Sequence, residues 1–100
     1  MQVVSSNEKT EQALSSQLVI VDNDPFLRET LCQQLVLEGF RNVMGVGFVA
    51  NLDDMIFEVN PDLILLSTQM PDGNSVDICR RLRRNGFSKP IVLLIPKGAE

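Results

Sequence analysis

A chain of 100 residues allows one domain, and its 44% apolar and 22% charged residues fit a globular fold rather than a disordered or fibrous one. The net charge of −4, with five Phe and no Trp or Tyr, argues against a free-standing nucleic-acid binder, which would be basic and rich in stacking aromatics. Two cysteines with no histidine and no CxxC spacing argue against a zinc site, no run approaches the roughly 18 apolar residues of a membrane helix, and the polar start carries no secretory signal, so the cytoplasm is the expected compartment.

Residues 1–16 (MQVVSSNEKTEQALSS) are polar and without a sustained period, which predicts a disordered or loosely attached tail, with the domain spanning 17–100. Leu18 to Val21 is an unbroken apolar run with β-branched residues. Alternation would mean one wet face; this run predicts a strand buried on both faces. Asp24-Pro25 predicts a helix start, with Asp24 capping free N–H groups and proline at the first helical position. Leu27, Leu31 and Leu35 supply a stripe at helical spacing, and Gly39 suits the left-handed position that ends the helix.

Asn42 to Gly47 is a second predicted strand. Val49, Leu52, Ile56 and Val59 line one face of a second helix that Asn60-Pro61 stops. Asp62 to Leu66 is the third strand. Asn74 or Ser75 caps a third helix, with Asp77 in its first turn, Ile78, Cys79 and Leu82 facing inward, and Gly86 at its end. Ile91 to Ile95 is the fourth strand. Cys32 and Cys79 fall in apolar helical patterns and read as small hydrophobes in a reducing compartment.

Strands alternating with helices predict an α/β fold, a doubly wound parallel sheet with right-handed crossovers. In such sheets the functional crevice lies outside the carboxyl ends of the strands, where the strand order switches. That gathers Asp22, Asn23, Ser67 and Ile95 at one end.

Three segments then carry a family resemblance. They are Leu18-Val19-Ile20-Val21-Asp22-Asn23-Asp24-Pro25, Leu63-Ile64-Leu65-Leu66 with Met70-Pro71-Asp72-Gly73, and Asp77-Ile78-Cys79-Arg80-Arg81-Leu82-Arg83. Together they resemble the receiver domain of bacterial two-component response regulators, over residues 17–100. The resemblance implies a flavodoxin-like (CheY-like) sheet of strand order 2-1-3-4 with the usual fifth strand and last two helices missing, so that the chain reads as a receiver truncated at its C-terminus. It also implies a phosphoryl-accepting site: two acids after the first strand that hold a divalent metal, an aspartate nucleophile after the third, a hydroxyl after the fourth and a lysine after the fifth. A carboxylate attacks phosphorus while metal and lysine neutralise the charge that develops on the transferring oxygens.

This chain departs from that pattern. Asp22 matches the first acid, Asn23 replaces the second, Ser67 stands at the nucleophile and Ile95 at the hydroxyl, with Pro96 next; the lysine position falls beyond Glu100. Magnesium needs hard oxygen ligands and finds one matched carboxylate here, so no cofactor is expected. Asp24 is a weak candidate metal ligand whose simpler role is helix capping. Ser67 lacks a base: there is no histidine, and nothing ties Lys89 or Lys97 to it. Asp72 is the alternative acceptor, with magnesium, in the competing reading.

The run Arg80 to Arg84 reads as cations favouring a helix C-terminus and facing water, not as a nucleic-acid patch; residues 80, 83 and 84 share a face. The expectation is a pseudo-receiver, not an enzyme, that signals through a protein partner or self-association. Ser67 and Asn23 would hydrogen-bond neutrally and Ile95 would fill the crevice. DNA would be reached solely through an effector domain absent from this chain, and no membrane is involved.

Overall fold

The computed structural model describes residues 8–50 and 52–95. The first seven residues of the expected tail, together with Pro96, Lys97 and the lysine position, lie outside the described residues. The order is α1 (Glu8–Leu14), β1 (Gln17–Val21), α2 (Pro25–Leu37), β2 (Asn42–Val46), α3 (Leu52–Val59), β3 (Leu63–Ser67), α4 (Ser75–Arg84) and β4 (Ile91–Leu94). The strands form a parallel sheet of order β2-β1-β3-β4, the topology expected.

The two central strands are β1 and β3, whose apolar runs are Leu18 to Val21 and Leu63 to Leu66. Val19 and Val21 of β1 and Ile64 and Leu66 of β3 share one face and are fully buried. Leu52 and Ile56 of α3 and Ile78 and Leu82 of α4 close over that face as the main core cluster. Leu18 and Ile20 point to the other face, as the two-residue strand period requires, and α2 packs over β1 and β2 there. Gly45 makes this approach close: a Cβ there would lie 3.0 Å from Arg28 Cγ and 3.2 Å from Cys32 Sγ.

The caps follow the sequence. Asp24 precedes Pro25 in extended conformation and its side chain accepts from the N–H groups of Phe26 and Leu27, while Asn74 does the same for Val76 and Asp77. Gly39 and Gly86 end α2 and α4 at φ +107° and +96°, backbone that a side chain would strain. Both cysteines are free and half-buried, and burial raises the Cys32 thiol above its ordinary pKa. Among the basic residues of α4, Arg81 turns aside to Asp53, with Nε 2.9 Å from Oδ2, and Arg83 donates to the carbonyls of Phe87 and Lys89.

Three elements differ from the sequence expectation. Residues 8–16 of the segment read as a tail contain α1, whose end is tied back to the domain. The Arg41 N–H donates to the Leu14 carbonyl at 3.0 Å, Asn42 Nδ2 to the Ser15 carbonyl at 2.9 Å, and Arg41 pairs with Glu11. Hydrogen bonds rather than an apolar stripe hold it, so no period marks it. Second, the Leu27, Leu31, Leu35 stripe of α2 contains no buried residue, and Leu27 is 43% exposed, because the helix contacts β1 and β2 and does not reach across the sheet. Third, α3 begins at Leu52; Val49 is buried in the turn ahead of it, where the Leu52 N–H donates to the Val49 carbonyl.

At the amino edge of the sheet, Asp62 Oδ2 accepts from the Gln17 N–H at 2.8 Å and Oδ1 from Lys89 Nζ at 3.0 Å. The backbone bond first, and then the lysine, hold its carboxyl below the ordinary 3.8. A depressed carboxyl stabilises the fold above its unfolded value and loses that contribution as pH falls through the lower folded value. Asp62→Asn is therefore expected to be less stable than wild type at neutral pH and to show a shallower loss of stability on acidification below pH 3.8, read by urea denaturation across a pH series. By the same measurement at neutral pH, Leu52→Ala, which empties a fully buried position, should cost about 2–5 kcal/mol. Leu37→Ala, at an exposed position, should stay within about 0.5 kcal/mol.

Candidate functional site

Parallel register brings the candidate residues together. Val21 of β1 is paired with Leu66 of β3, so the next residues, Asp22 just past β1 and Ser67 at the last position of β3, stand side by side at the carboxyl edge. Each is 4% exposed. Asp22 is turned inward on its own loop: its N–H donates to the Val46 carbonyl at 3.0 Å, its Oδ1 accepts from the Asp24 N–H at 3.0 Å, and its carbonyl accepts from Arg28 Nη1 at 2.7 Å.

Asn23 donates from Nδ2 to the Gly47 carbonyl at 3.1 Å. A carboxylate in its place has no hydrogen to give. Asp24 Oδ1 accepts from the N–H groups of Phe26 and Leu27 at 3.0 and 3.3 Å, so its carboxylate serves the start of α2. Ser67 Oγ accepts from the Gln69 N–H at 3.1 Å, a local turn at the end of β3. Beside it, the N–H and Oγ1 of Thr68 both donate to the Leu94 carbonyl, at 3.0 and 3.3 Å.

Two residues lie elsewhere than their sequence roles suggest. Ile95 is 60% exposed and does not fill the crevice. The pairing of β3 with β4 ends at Ser67 with Leu94, so Ile95 has already left the sheet. Asp72 lies with α3 and α4, lining a cavity of about 490 Å³ with Val49, Ala50, Leu52, Asp53, Asp54 and Arg81. Its Oδ2 accepts from the N–H groups of Val49 and Ala50 at 2.9 and 3.2 Å. Among the described residues no group of three or more Asp, Glu, Cys or His side chains is placed to hold a metal ion.

Sequence reasoning missed Arg28. Its side chain runs along β2 past Gly45 and Gly47, and a Cβ at Gly47 would stand 2.8 Å from Nη1. The signal was present as Gly45-x-Gly47, two glycines at strand spacing and hence on one face, which mark a close approach by another group.

The comparisons with known proteins agree with this architecture. The family model of the response regulator receiver domain matches residues 18–99. The chain is 36% identical over 84 residues to the DNA-binding response regulator MtrA of Mycolicibacterium smegmatis, covering 84% of this chain and 36% of that protein. It is 33% identical over 86 residues to the response regulator MprA of Mycobacterium bovis, covering 86% of this chain and 37% of the relative. Among solved structures, the non-phosphorylated HemR receiver domain of Leptospira biflexa superposes with a TM-score of 0.74 at 21% identity, covering 86% of this chain and 68% of its own. The MaeR response regulator bound to beryllium trifluoride does so with a TM-score of 0.74 at 23% identity, covering 83% and 69%. This is a receiver domain sequence with the receiver fold. The chain belongs to the response regulator receiver family and spans little more than a third of the length of these curated relatives.

The Arg28 arrangement makes a prediction. Gly47→Ala forces Nη1 away from the Asp22 carbonyl and should cost about 1 kcal/mol, the worth of one hydrogen bond from a charged donor less what the side chain recovers in water. In an Arg28→Ala background the same change should cost much less, which a double-mutant cycle by chemical denaturation reads directly.

Proposed function

We propose that this receiver signals by protein contact, without phosphorylation of an aspartate and without magnesium. The observation that carries the reading is Ser67. It occupies the end of β3 where the family resemblance calls for the accepting carboxylate, it is buried, and its oxygen is engaged by the Gln69 N–H. A serine hydroxyl needs an adjacent base to become a nucleophile, and the chain has no histidine.

Magnesium takes near-octahedral oxygen coordination anchored by carboxylates or phosphates. The residues at the carboxyl edge offer the Asp22 carboxylate, which already accepts from the Asp24 N–H, and an amide at Asn23 whose nitrogen is directed to Gly47. Asp24 is spent on its helix. These groups do not fit the ion. The competing reading, acceptance by Asp72 with magnesium, is disfavoured because the Asp72 carboxylate is committed to two backbone N–H groups beside α3.

The signal would pass through a protein partner or a second copy of the chain, in the cytoplasm. Phe26, 80% exposed in the first turn of α2, and Phe48, 56% exposed on the loop after β2, are apolar groups suited to such a contact. Since the relative MtrA is named a DNA-binding response regulator and is matched over about a third of its length, DNA would be reached by an effector domain and not by the receiver. Among the described residues no helix is long and apolar enough to cross a membrane.

Phosphoryl transfer tests this reading. With acetyl phosphate and magnesium, intact-protein mass spectrometry is expected to find no phosphorylation of the wild type. Ser67→Asp alone should not restore it, because Asn23 and Ile95 remain. Incorporation by either protein contradicts the proposal, and incorporation mapped to Asp72 would establish the competing one.

A further inference from the structure

The loop from β2 to α3, residues 47–50, is gripped from both neighbouring loops. On one side Asn23 Nδ2 donates to the Gly47 carbonyl at 3.1 Å. On the other, Asp72 Oδ2 accepts from the N–H groups of Val49 and Ala50 at 2.9 and 3.2 Å. Packing supports the second contact: Val49 is 6% exposed, and a Cβ on Gly73 would fall 3.0 Å from both Val49 Cγ2 and Ile78 Cδ1.

We propose that Asn23 and Asp72 form a two-sided clasp that positions this loop, and that the amide at position 23 is an active part of it rather than a worn-out acid. A carboxylate at 23 would lose the donor and set a negative charge against the negative end of the Gly47 carbonyl. A carboxylate at 72 suits the other side, since it meets two N–H donors ahead of α3, where negative charge is favoured. Asn23 thus acts on the Val49 and Ala50 amides without touching them, through Gly47. The clasp rests on hydrogen-bond geometry and goes beyond the phosphorylation-silent reading, which can fail without it.

The two ends of the clasp share one loop, so their effects are coupled. The test is amide hydrogen exchange of the 15N-labelled full chain, wild type against Asp72→Ala, Asn23→Asp and Asn23→Ala, with rates at Val49 and Ala50 normalised to the Ile20 and Leu66 amides of the central strands. Asp72→Ala should speed the two loop amides by roughly tenfold or more, the equivalent of a hydrogen bond to a charged acceptor. Asn23→Asp should speed the same two amides severalfold, and Asn23→Ala less, because it removes the donor without adding a charge. Loop exchange in Asn23→Asp within about twofold of wild type, or acceleration shared equally by Ile20 and Leu66, would overturn the proposal. If Asn23→Asp does not fold, Asn23→Ala decides instead: acceleration of Val49 and Ala50 beyond that of Ile20 and Leu66 is expected, and none would overturn the proposal. None of these rates depends on whether an acyl phosphate can form.

Discussion

The parallel pairing of β1 with β3 is the constraint on which the rest of the molecule depends. Residues 18–21 of β1 are buried on both faces, β3 is buried on the face it shares with Val19 and Val21, and a slip of one residue would turn every side chain to the opposite face. The register that burial enforces, Val21 beside Leu66, is also what sets Asp22 beside Ser67. The same packing that makes the fold therefore assembles the candidate functional edge.

What holds that edge is a set of short hydrogen bonds, most of them to backbone. Asp22 closes on the Asp24 N–H, Arg28 on the Asp22 carbonyl, Asn23 on the Gly47 carbonyl, Ser67 on the Gln69 N–H, and Asp72 on the start of α3. An acidic cluster awaiting a cation would be held apart by repulsion and would reorganise on binding one. Here Asp22 Oδ1, Asn23 Nδ2 and Ser67 Oγ each find a partner within the chain, which is the basis for proposing an edge that takes up no ion.

Much of this was legible in the sequence because the signals are local. The unbroken Leu-Val-Ile-Val run means a strand buried on both sides, Leu-Ile-Leu-Leu means a central strand, Asp24-Pro25 and Asn74 mean helix starts, and Gly39 and Gly86 mean helix ends with positive φ. What stayed illegible is tertiary. The helix α1 has no apolar stripe and is held by Arg41 and Asn42. The partners of Asp72 lie more than twenty residues away in the chain, and nothing in its local sequence points to them. Arg28 reads as one more helix cation until the glycines of β2 are seen to make room for it. The family resemblance sets Ile95 at the hydroxyl position and so in the crevice, but the end of pairing at Leu94 leaves it outside.

The central claim is that the carboxyl edge is closed to phosphoryl chemistry while the fold is intact. A 15N-HSQC spectrum recorded alone and then with magnesium and beryllofluoride, a mimic of the acyl phosphate, tests it most directly. The account predicts a dispersed spectrum whose peaks do not move. Shifts clustered at residues 22–24 and 67–74 would contradict it, for they would show a metal-dependent acceptor site at the ends of β1 and β3.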